Sequence, residues 1–210
     1  MGSCPSPLLW GVSDTGIGRR RTVELVELST ERLRLRQWKR SDWEAFAALN
    51  ADPQVMAFFP RVLGRSESDA MAERLCAQIA ERGWGLWAVE VVGGKPFVGF
   101  VGLSVPGYKI PASPCVEIGW RLAREQWGKG YATEAALGAL RVGFDTLGLD
   151  EIVSFTAVQN FRSRAVMERI GMHNTGQTFE HPRLPVGHAL RLHVLYRLTR
   201  GRWSGQVVLE

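Results

Sequence analysis

The sequence contains no apolar run long enough to cross a membrane, since its longest nearly apolar stretch, residues 97–105, falls far short of the ~18 residues required. Its three cysteines, Cys4, Cys76 and Cys115, include no C-x-x-C pair. This argues against a zinc knuckle or a disulfide framework and fits a reducing compartment. The first 25 residues lack the basic and apolar regions of a signal peptide. These absences predict a cytoplasmic protein that has no membrane partner.

Metal-ligating patterns are also missing. The four histidines, His173, His181, His188 and His193, all lie in the C-terminal part, and their spacing matches no standard zinc pattern. The chain also has no acidic cluster that would indicate a polycationic acceptor. We therefore expect no metal ion.

The composition is that of a folded domain with a real core. Of the 210 residues, 45% are hydrophobic and 22% are charged, which excludes a disordered chain, and the length favours one domain. The net charge of +5 suits a polyanionic partner such as a nucleic acid or a phosphate-rich cofactor. Nucleic acid is the less favoured of the two, because the sequence has no helix-turn-helix, RNA-binding aromatic motif or zinc finger.

Glycine and proline divide the chain into a flexible basic N-terminal arm (1–29), one domain (30–200) and a C-terminal tail (201–210). Alternation of apolar residues predicts strands at residues 33–37, 86–92, 97–105, 115–122, 152–158 and 190–198. Helical spacing predicts helices at residues 41–53, 66–82, 131–147 and 160–170. The order β-α-α-β-β-β-α-β-α-β predicts an α+β domain, whose central, mixed, mostly antiparallel sheet is flanked by helices.

One segment, residues 126–135, joins a strand to a helix through a glycine-rich turn. The free N–H groups of a helix N-terminus and its dipole bind phosphate well, and Gly128 and Gly130 would let the backbone approach a pyrophosphate. Lys129 can add a charge. The turn is not a P-loop, since Gly130 follows the lysine, and it is not a dinucleotide fingerprint, since Thr133 replaces the last glycine. An ordinary tight turn with a glycine at the helix start stays the alternative.

Three motifs together resemble the GNAT superfamily of acetyl-coenzyme A-dependent N-acetyltransferases. They are Glu117-Ile118-Gly119-Trp120, the helix opening Gly130-Tyr131-Ala132-Thr133-Glu134-Ala135, and Asn160-x-x-Ser163. The branch that contains the ribosomal-protein N-terminal acetyltransferases is the most similar, over roughly residues 30–200. The resemblance implies a single GNAT-like domain, acetyl-CoA as co-substrate and a primary amine as acceptor, either a small molecule or a protein N-terminus. It is also compatible with a homodimer.

The resemblance further implies a coenzyme A site. The family motif (Gln or Arg)-x-x-Gly-x-(Gly or Ala), anchored on Gly130 and Ala132, has its first position on Trp127, which departs from the pattern. The amides of residues 128–133 would hold the pyrophosphate. The implied cofactor-binding residues are Trp120, Leu122, Trp127, Gly128, Lys129, Gly130, Tyr131, Ala132, Thr133, Asn160 and Ser163.

Two of these contacts have particular forms in the resemblance. The backbone edges of Trp120 and Leu122, where the fourth predicted strand splays from its neighbour, would pair with the pantetheine arm like an added strand. Asn160 would hold the same arm from the other side. Helix capping is the alternative role of Asn160, and the two roles are compatible.

The resemblance also implies catalytic residues. Glu117 matches the strand carboxylate that takes a proton from the acceptor amine, commonly through water, whereas an ordinary strand glutamate is solvated or ion-paired. The tyrosine that protonates the leaving thiolate in the family falls on Met167, which cannot donate. Ser163 is the nearest substitute, with a purely structural hydrogen bond as its alternative. A thiol with a pKa of ~8.5 can also leave without a strong acid.

Several alternatives stay open. Direct attack in a ternary complex is favoured over a ping-pong route through Cys115, which shares the strand face of Glu117. Met167 would also suit a catalytically inactive CoA-binding sensor or regulatory module. By resemblance, acceptor specificity belongs to residues 41–83 and to the 176–189 loop, in which His181 and His188 are candidates for substrate contact, with a structural role as the alternative.

Overall fold

Eight strands form one sheet in the computed structural model, which describes residues 23–203. The strands are β1 (Leu28–Ser29), β2 (Leu33–Arg36), β3 (Leu86–Val91), β4 (Gly99–Ser104), β5 (Glu117–Leu122), β6 (Glu151–Ala157), β7 (His173–Glu180) and β8 (Leu192–Thr199). The α-helices are α1 (Trp43–Ala51), α2 (Arg65–Arg82), α3 (Tyr131–Arg141) and α4 (Phe161–Arg169). The strand order is β1-β2-β3-β4-β5-β6-β8-β7, and all neighbours are antiparallel except β5 and β6. The predicted mixed, mostly antiparallel sheet with flanking helices is confirmed.

The structure adds β1 and β7 to the predicted strands. Strand β1 has only two residues, too few for a pattern. Strand β7 reads HNTGQTFE, and its register against β8 shifts between Asn174 and Thr178. It lies at the edge of the sheet, where one row of backbone groups is unpaired and polar side chains are tolerated, so it shows no apolar alternation.

The packed region extends beyond residues 30–200 at both ends. Within the segment assigned to the arm, the Val26 N–H donates to the Gly83 carbonyl at 2.8 Å, and the Trp87 indole donates to the Val26 carbonyl at 2.7 Å. Within the assigned tail, the Trp203 ring stacks on Phe144 with a centroid distance of 5.5 Å. The remaining parts of the arm and tail, residues 1–22 and 204–210, lie outside the described residues.

The two faces of β5 meet different helices. Ile118 faces the α3 side, because its partner Leu103 packs under Gly143 in the helical turn that continues α3. Arg121 faces the opposite side, where its guanidinium donates to Asn50 of α1. Since strand side chains alternate, Glu117 shares the face of Arg121. None of the helices within residues 23–203 combines the length and the apolar character that crossing a membrane would require.

Strands β5 and β6 pair only where they begin. Glu117 lies opposite Val153, whose N–H donates to the Val116 carbonyl at 3.0 Å. One residue further, the Ser154 hydroxyl donates to the Ile118 carbonyl at 2.9 Å. No later backbone pair joins the two strands in the described part of the chain. The strands therefore diverge, and a gap opens between them towards the end of β5.

Candidate active site

The turn before α3 presents a row of backbone N–H groups that have no acceptor. Gly128 and Gly130 have φ values of +76° and +80°, which glycine adopts without strain. The first helical hydrogen bond runs from Glu134 N–H to the Gly130 carbonyl at 3.0 Å. The amides of residues 128–133 donate to no acceptor within residues 23–203. Free amides at the positive end of a helix dipole are an arrangement that can bind an anion, and the turn of residues 128–133 is called the cradle below.

The carboxylate of Glu134 fixes this cradle against the loop between β1 and β2. It accepts the Thr30 hydroxyl and the Arg32 N–H, the latter at 2.8 Å. The Arg32 guanidinium contacts Glu134 at 2.6 Å and donates to the Lys129 carbonyl at 3.1 Å. Burial raises the pKa of Glu134, but these hydrogen bonds and the charge of Arg32 outweigh it and hold the pKa below its ordinary value. Sequence reasoning gave Glu134 no role, although an acidic residue in a first helical turn was a visible signal.

Trp127, which departs from the family motif, connects the cradle to two other elements. Its indole N–H donates to the Leu122 carbonyl at 2.9 Å, at the end of β5. The guanidinium of Arg162 in α4 lies over its ring at 4.5 Å. Lys129 projects from the same turn and donates to the Gln126 side chain at 3.1 Å. Trp127 thus holds the turn through a neutral hydrogen bond and a cation–π contact.

The other cofactor-binding candidates of α3 lie in its first turn. Tyr131 lies under the Arg32 guanidinium, 5.0 Å from the ring centroid. Ala132 is half-buried and Thr133 is buried. Their side chains face the protein, so the backbone N–H groups are what this turn offers to a ligand.

The gap between β5 and β6 exposes the backbone of Trp120. The Ala123 N–H donates towards β4, to the Val98 carbonyl at 2.9 Å, so the even-numbered residues of β5 turn their polar groups towards β6. Ser154 already occupies the Ile118 carbonyl, and Trp127 occupies that of Leu122. Within the described residues, the N–H and the carbonyl of Trp120 and the N–H of Leu122 therefore have no partner.

The start of α4 borders the same gap. The Asn160 side chain accepts the Ser163 N–H at 3.3 Å and donates to the Thr156 hydroxyl at 2.9 Å, so it caps the helix. The Ser163 hydroxyl makes no hydrogen bond within residues 23–203 and is half-buried. Met167 is buried in the core, where it can neither donate nor accept a proton.

Glu117 is held in a form that suits proton transfer. Burial raises the pKa of its carboxyl to about 7. In the described part of the chain the carboxylate has no hydrogen-bond or ion-pair partner, which excludes the salt-bridge interpretation there. The titratable groups that face it are Tyr108 and Cys115, which are both neutral because their pKa values are raised. Burial, then the Glu117 charge, raises the pKa of the Cys115 thiol, which disfavours the thiolate that a ping-pong route needs.

An aromatic cluster adjoins Glu117 on the same face of the sheet. The Tyr108 hydroxyl lies 3.0 Å from His181 Nε2, and the His181 and His193 rings lie 4.8 Å apart. Because His181 Nδ1 accepts the Arg183 N–H at 3.3 Å, its proton is on Nε2 and is donated to Tyr108. Burial lowers the pKa of His181 to about 4, so the ring is neutral. Sequence reasoning placed His181 near the acceptor but had no signal for Tyr108.

Metal-ligating groups do not cluster anywhere in the described ranges. Residues 23–203 contain no group of three or more His, Cys, Asp or Glu side chains that could hold a metal ion.

The His188 ring nitrogen Nδ1 accepts the Leu190 N–H at 3.1 Å, which orders the loop before β8.

Comparisons with known proteins agree with this geometry. The family model of the acetyltransferase (GNAT) domain matches residues 32–173. An FsC-acetyl coenzyme A-N(2)-transacetylase of Aspergillus fumigatus is 33% identical over 184 residues, covering 84% of this chain and 77% of that protein. A putative ribosomal N-acetyltransferase of Bacillus subtilis, YdaF, is 36% identical over 90 residues, covering 43% of this chain and 48% of that protein.

The solved structures give the same answer for the fold. A GNAT-family acetyltransferase of Bacillus anthracis superposes with a TM-score of 0.69 at 27% identity, covering 84% of this chain and 99% of that one. The resemblance found in the sequence motifs is confirmed by a family model that covers most of the chain. This chain therefore belongs to the GNAT family of acetyltransferases, and it is an acyltransferase.

Proposed function

We propose that this protein transfers an acetyl group from acetyl-CoA to a primary amine by direct attack in a ternary complex. The observation that carries the proposal is the row of unpaired amides at residues 128–133, which lies beside the gap between β5 and β6. Acetyl-CoA supplies an activated acetyl thioester. The cradle would bind its pyrophosphate, and the free backbone edge of Trp120 would bind the extended pantetheine arm.

Glu117 is the proposed general base. It lies at the mouth of the gap on the face opposite α3, and burial raises its pKa to about 7, close to the operating pH that proton transfer favours. An N–H in the Trp120–Leu122 segment would stabilise the oxyanion of the tetrahedral intermediate. The Ser163 hydroxyl has no hydrogen-bond partner among residues 23–203, which supports its proposed role as proton donor to the thiolate.

Calorimetry with acetyl-CoA tests the cradle. The variant Gly130→Glu places a carboxylate at the cradle and a side chain at a φ of +80°, so binding should be lost. Gly93→Glu is the matched control, because Gly93 has a φ of +69° in open space at the β3–β4 hairpin. Micromolar binding by the wild type and the control, with loss in Gly130→Glu, supports the proposal. Equal binding by all three proteins contradicts it.

The acceptor class and the alternative of an inactive sensor are tested by turnover. One relative is named an N(2)-transacetylase and another a putative ribosomal N-acetyltransferase, so a panel of small amines and N-terminal peptides covers both acceptor classes. Release of CoA that depends on an amine supports the enzyme. Tight binding of acetyl-CoA without turnover of any amine would support the sensor instead.

Two further proposals concern the whole protein. A cytoplasmic location is proposed from the cysteine usage, and cell fractionation tests it. A homodimer is compatible with the family resemblance, and analytical ultracentrifugation tests it. The proposed machinery lies within residues 117–163 of one chain and would be complete in a monomer.

A further inference from the structure

A buried arginine on β5 lacks the partners that buried arginines need. The side chain of Arg121 is 7% exposed. Its Nη1 donates to the Asn50 side chain, which in turn donates to Ser68 at 2.9 Å. Its Nε is buried without a partner, and Nη2 makes no hydrogen bond within residues 23–203. No carboxylate of the described chain lies within ion-pair distance of this guanidinium.

Arg36 shows what a structural buried arginine looks like in the same protein. It is 3% exposed, and Asp42 binds it at 2.8 and 3.0 Å through two nitrogens. Glu90 accepts its Nε–H at 2.6 Å, and the carbonyls of Gln37 and Pro96 accept the rest. Burying a charge without a counter-charge costs several kcal/mol. The contrast indicates that the partner of Arg121 comes from outside residues 23–203.

The unused donors of Arg121 form one edge of the guanidinium. Nε–H and an Nη–H point in parallel from this edge, the geometry that binds the two oxygens of a carboxylate. The rings of Phe59 and Phe100 lie 4.0 and 5.3 Å from the guanidinium carbon and exclude water around it. Burial lowers the pKa of Arg121 to about 10, so the group is still charged at neutral pH.

Arg121 lies on the acceptor side of the sheet. It shares a face of β5 with Glu117, four residues away, which places the two Cα atoms about 13 Å apart. Phe59 belongs to the α1–α2 connection, within the region that the resemblance assigns to acceptor specificity. An extended acceptor could therefore reach both side chains, with its amine near Glu117.

We infer that Arg121 binds a carboxylate of the acceptor, and that the substrates of this enzyme are amines that carry an acidic group several bonds from the nitrogen. The inference rests on the proposed acetyl transfer. It agrees with the net charge of +5 and with the Arg183 guanidinium, which lies 4.6 Å from the Tyr108 ring on the same face.

Matched acceptor pairs test the inference. The probes are ω-amino acids of increasing length, from glycine to 6-aminohexanoate, each compared with its carboxamide. The wild type should prefer the acid over the amide by tenfold or more in kcat/KM at the best length, because a charge-assisted pair is lost with the amide. In Arg121→Gln this ratio should fall to about one. Arg121→Lys should keep part of it, since lysine retains the charge without the fork.

The acid-to-amide ratio separates substrate binding from a structural role. If Arg121 only holds α1 through Asn50, Arg121→Gln lowers kcat/KM for acid and amide equally, and this result would overturn the inference. Arg141→Gln is the matched control, because it removes an exposed charge at the end of α3, outside the acceptor region, and it should leave the ratio unchanged.

Binding distinguishes failure of this inference from failure of the proposed function. The same acids and amides are titrated by calorimetry into the protein with and without bound CoA. If no amine is acetylated, acetyl transfer fails, but tighter binding of acids by the wild type than by Arg121→Gln still supports the carboxylate site. Equal binding of acids and amides by the wild type overturns it, whether or not acetyl-CoA is turned over.

Discussion

Glu117 of β5 lies directly opposite Val153 of β6, and it is the last residue at which these two parallel strands are paired within the described chain. The proposed base is therefore located where the sheet opens. Its backbone is fixed on both sides, by β4 and by β6, while the residues that follow it face a gap on one side. A rigid base beside an open backbone edge is a favourable arrangement for positioning two substrates.

Removing the carboxylate of Glu117 tests its role as base. Glu117→Gln should lower kcat by about 10²- to 10⁴-fold, the range typical of general-base catalysis, and leave the Kd of acetyl-CoA unchanged. Steady-state kinetics and calorimetry measure the two quantities. Glu125→Gln is the control, because Glu125 is 60% exposed and pairs with Lys95 outside the gap. A kcat within a few-fold of wild type would contradict the assignment.

The pH profile should follow the titration of Glu117. The group must lose its proton to act as base, so kcat/KM for the acceptor should rise as the pH passes through about 7, and Glu117→Gln should lack this rise. Tyr108 and Cys115 face the same carboxyl, and burial raises the pKa of each of them, so they are not expected to titrate in this range. A profile that is flat between pH 6 and 8 would contradict the prediction.

The same raised pKa predicts an effect on stability. Between the ordinary pKa of a glutamate and about 7, the folded protein binds a proton at Glu117 that the unfolded chain releases, so stability is lost as the pH rises through this window. Glu117→Gln cannot ionise and should become more stable relative to wild type from pH 4 to pH 8. Urea denaturation at both pH values measures the change. If the difference in unfolding free energy between the two proteins is the same at pH 4 and pH 8, Glu117 is not buried in solution and its pKa is not raised.

Trp127 should stabilise the cradle without contacting the cofactor through a polar group. Trp127→Phe removes the hydrogen bond to the Leu122 carbonyl and keeps an aromatic ring under Arg162. The free energy of unfolding should fall by about 1 kcal/mol, the usual net contribution of such a bond, and the Kd of acetyl-CoA should rise by less than tenfold. A loss of a hundredfold or more in affinity would indicate a direct contact by the indole N–H.

The Glu134 carboxylate should contribute both to the stability of the fold and to the binding of acetyl-CoA. Glu134→Gln weakens the charge-assisted bonds to Thr30 and Arg32, which should cost about 2 kcal/mol of stability and raise the Kd of acetyl-CoA by disordering the cradle. Glu31→Gln is the control, since Glu31 is an exposed carboxylate on the adjacent loop. The pKa of Glu134 is lowered, so its contribution should be present above the ordinary glutamate pKa and be lost as the pH falls below it.

Local features of the sequence were sufficient to predict most of the fold. The helix predicted at residues 131–147 corresponds to α3 and the π-helical turn Val142–Thr146 that continues it. Gly128 and Gly130 predicted the turn before α3, because a positive φ is a property of each residue and its neighbours, whereas pyrophosphate binding at this turn stays a prediction. Strand β7 was missed because its polar residues have no apolar period, and its place at the sheet edge is decided by pairing with β8.

The sequence by itself determined most of the helices and strands, the glycine turn before α3 and the family to which the chain belongs, since all three depend on residues that are close together in the chain. Only the tertiary structure decided which charges are paired. Glu134 meets Arg32 across 102 positions, and Arg121 meets Asn50 across 71. The low dielectric of the folded interior then sets the electrostatic energy of each paired or unpaired charge. Within residues 23–203 it leaves Arg36 paired with two carboxylates, Arg121 without a counter-charge, and the pKa of Glu117 raised to about 7.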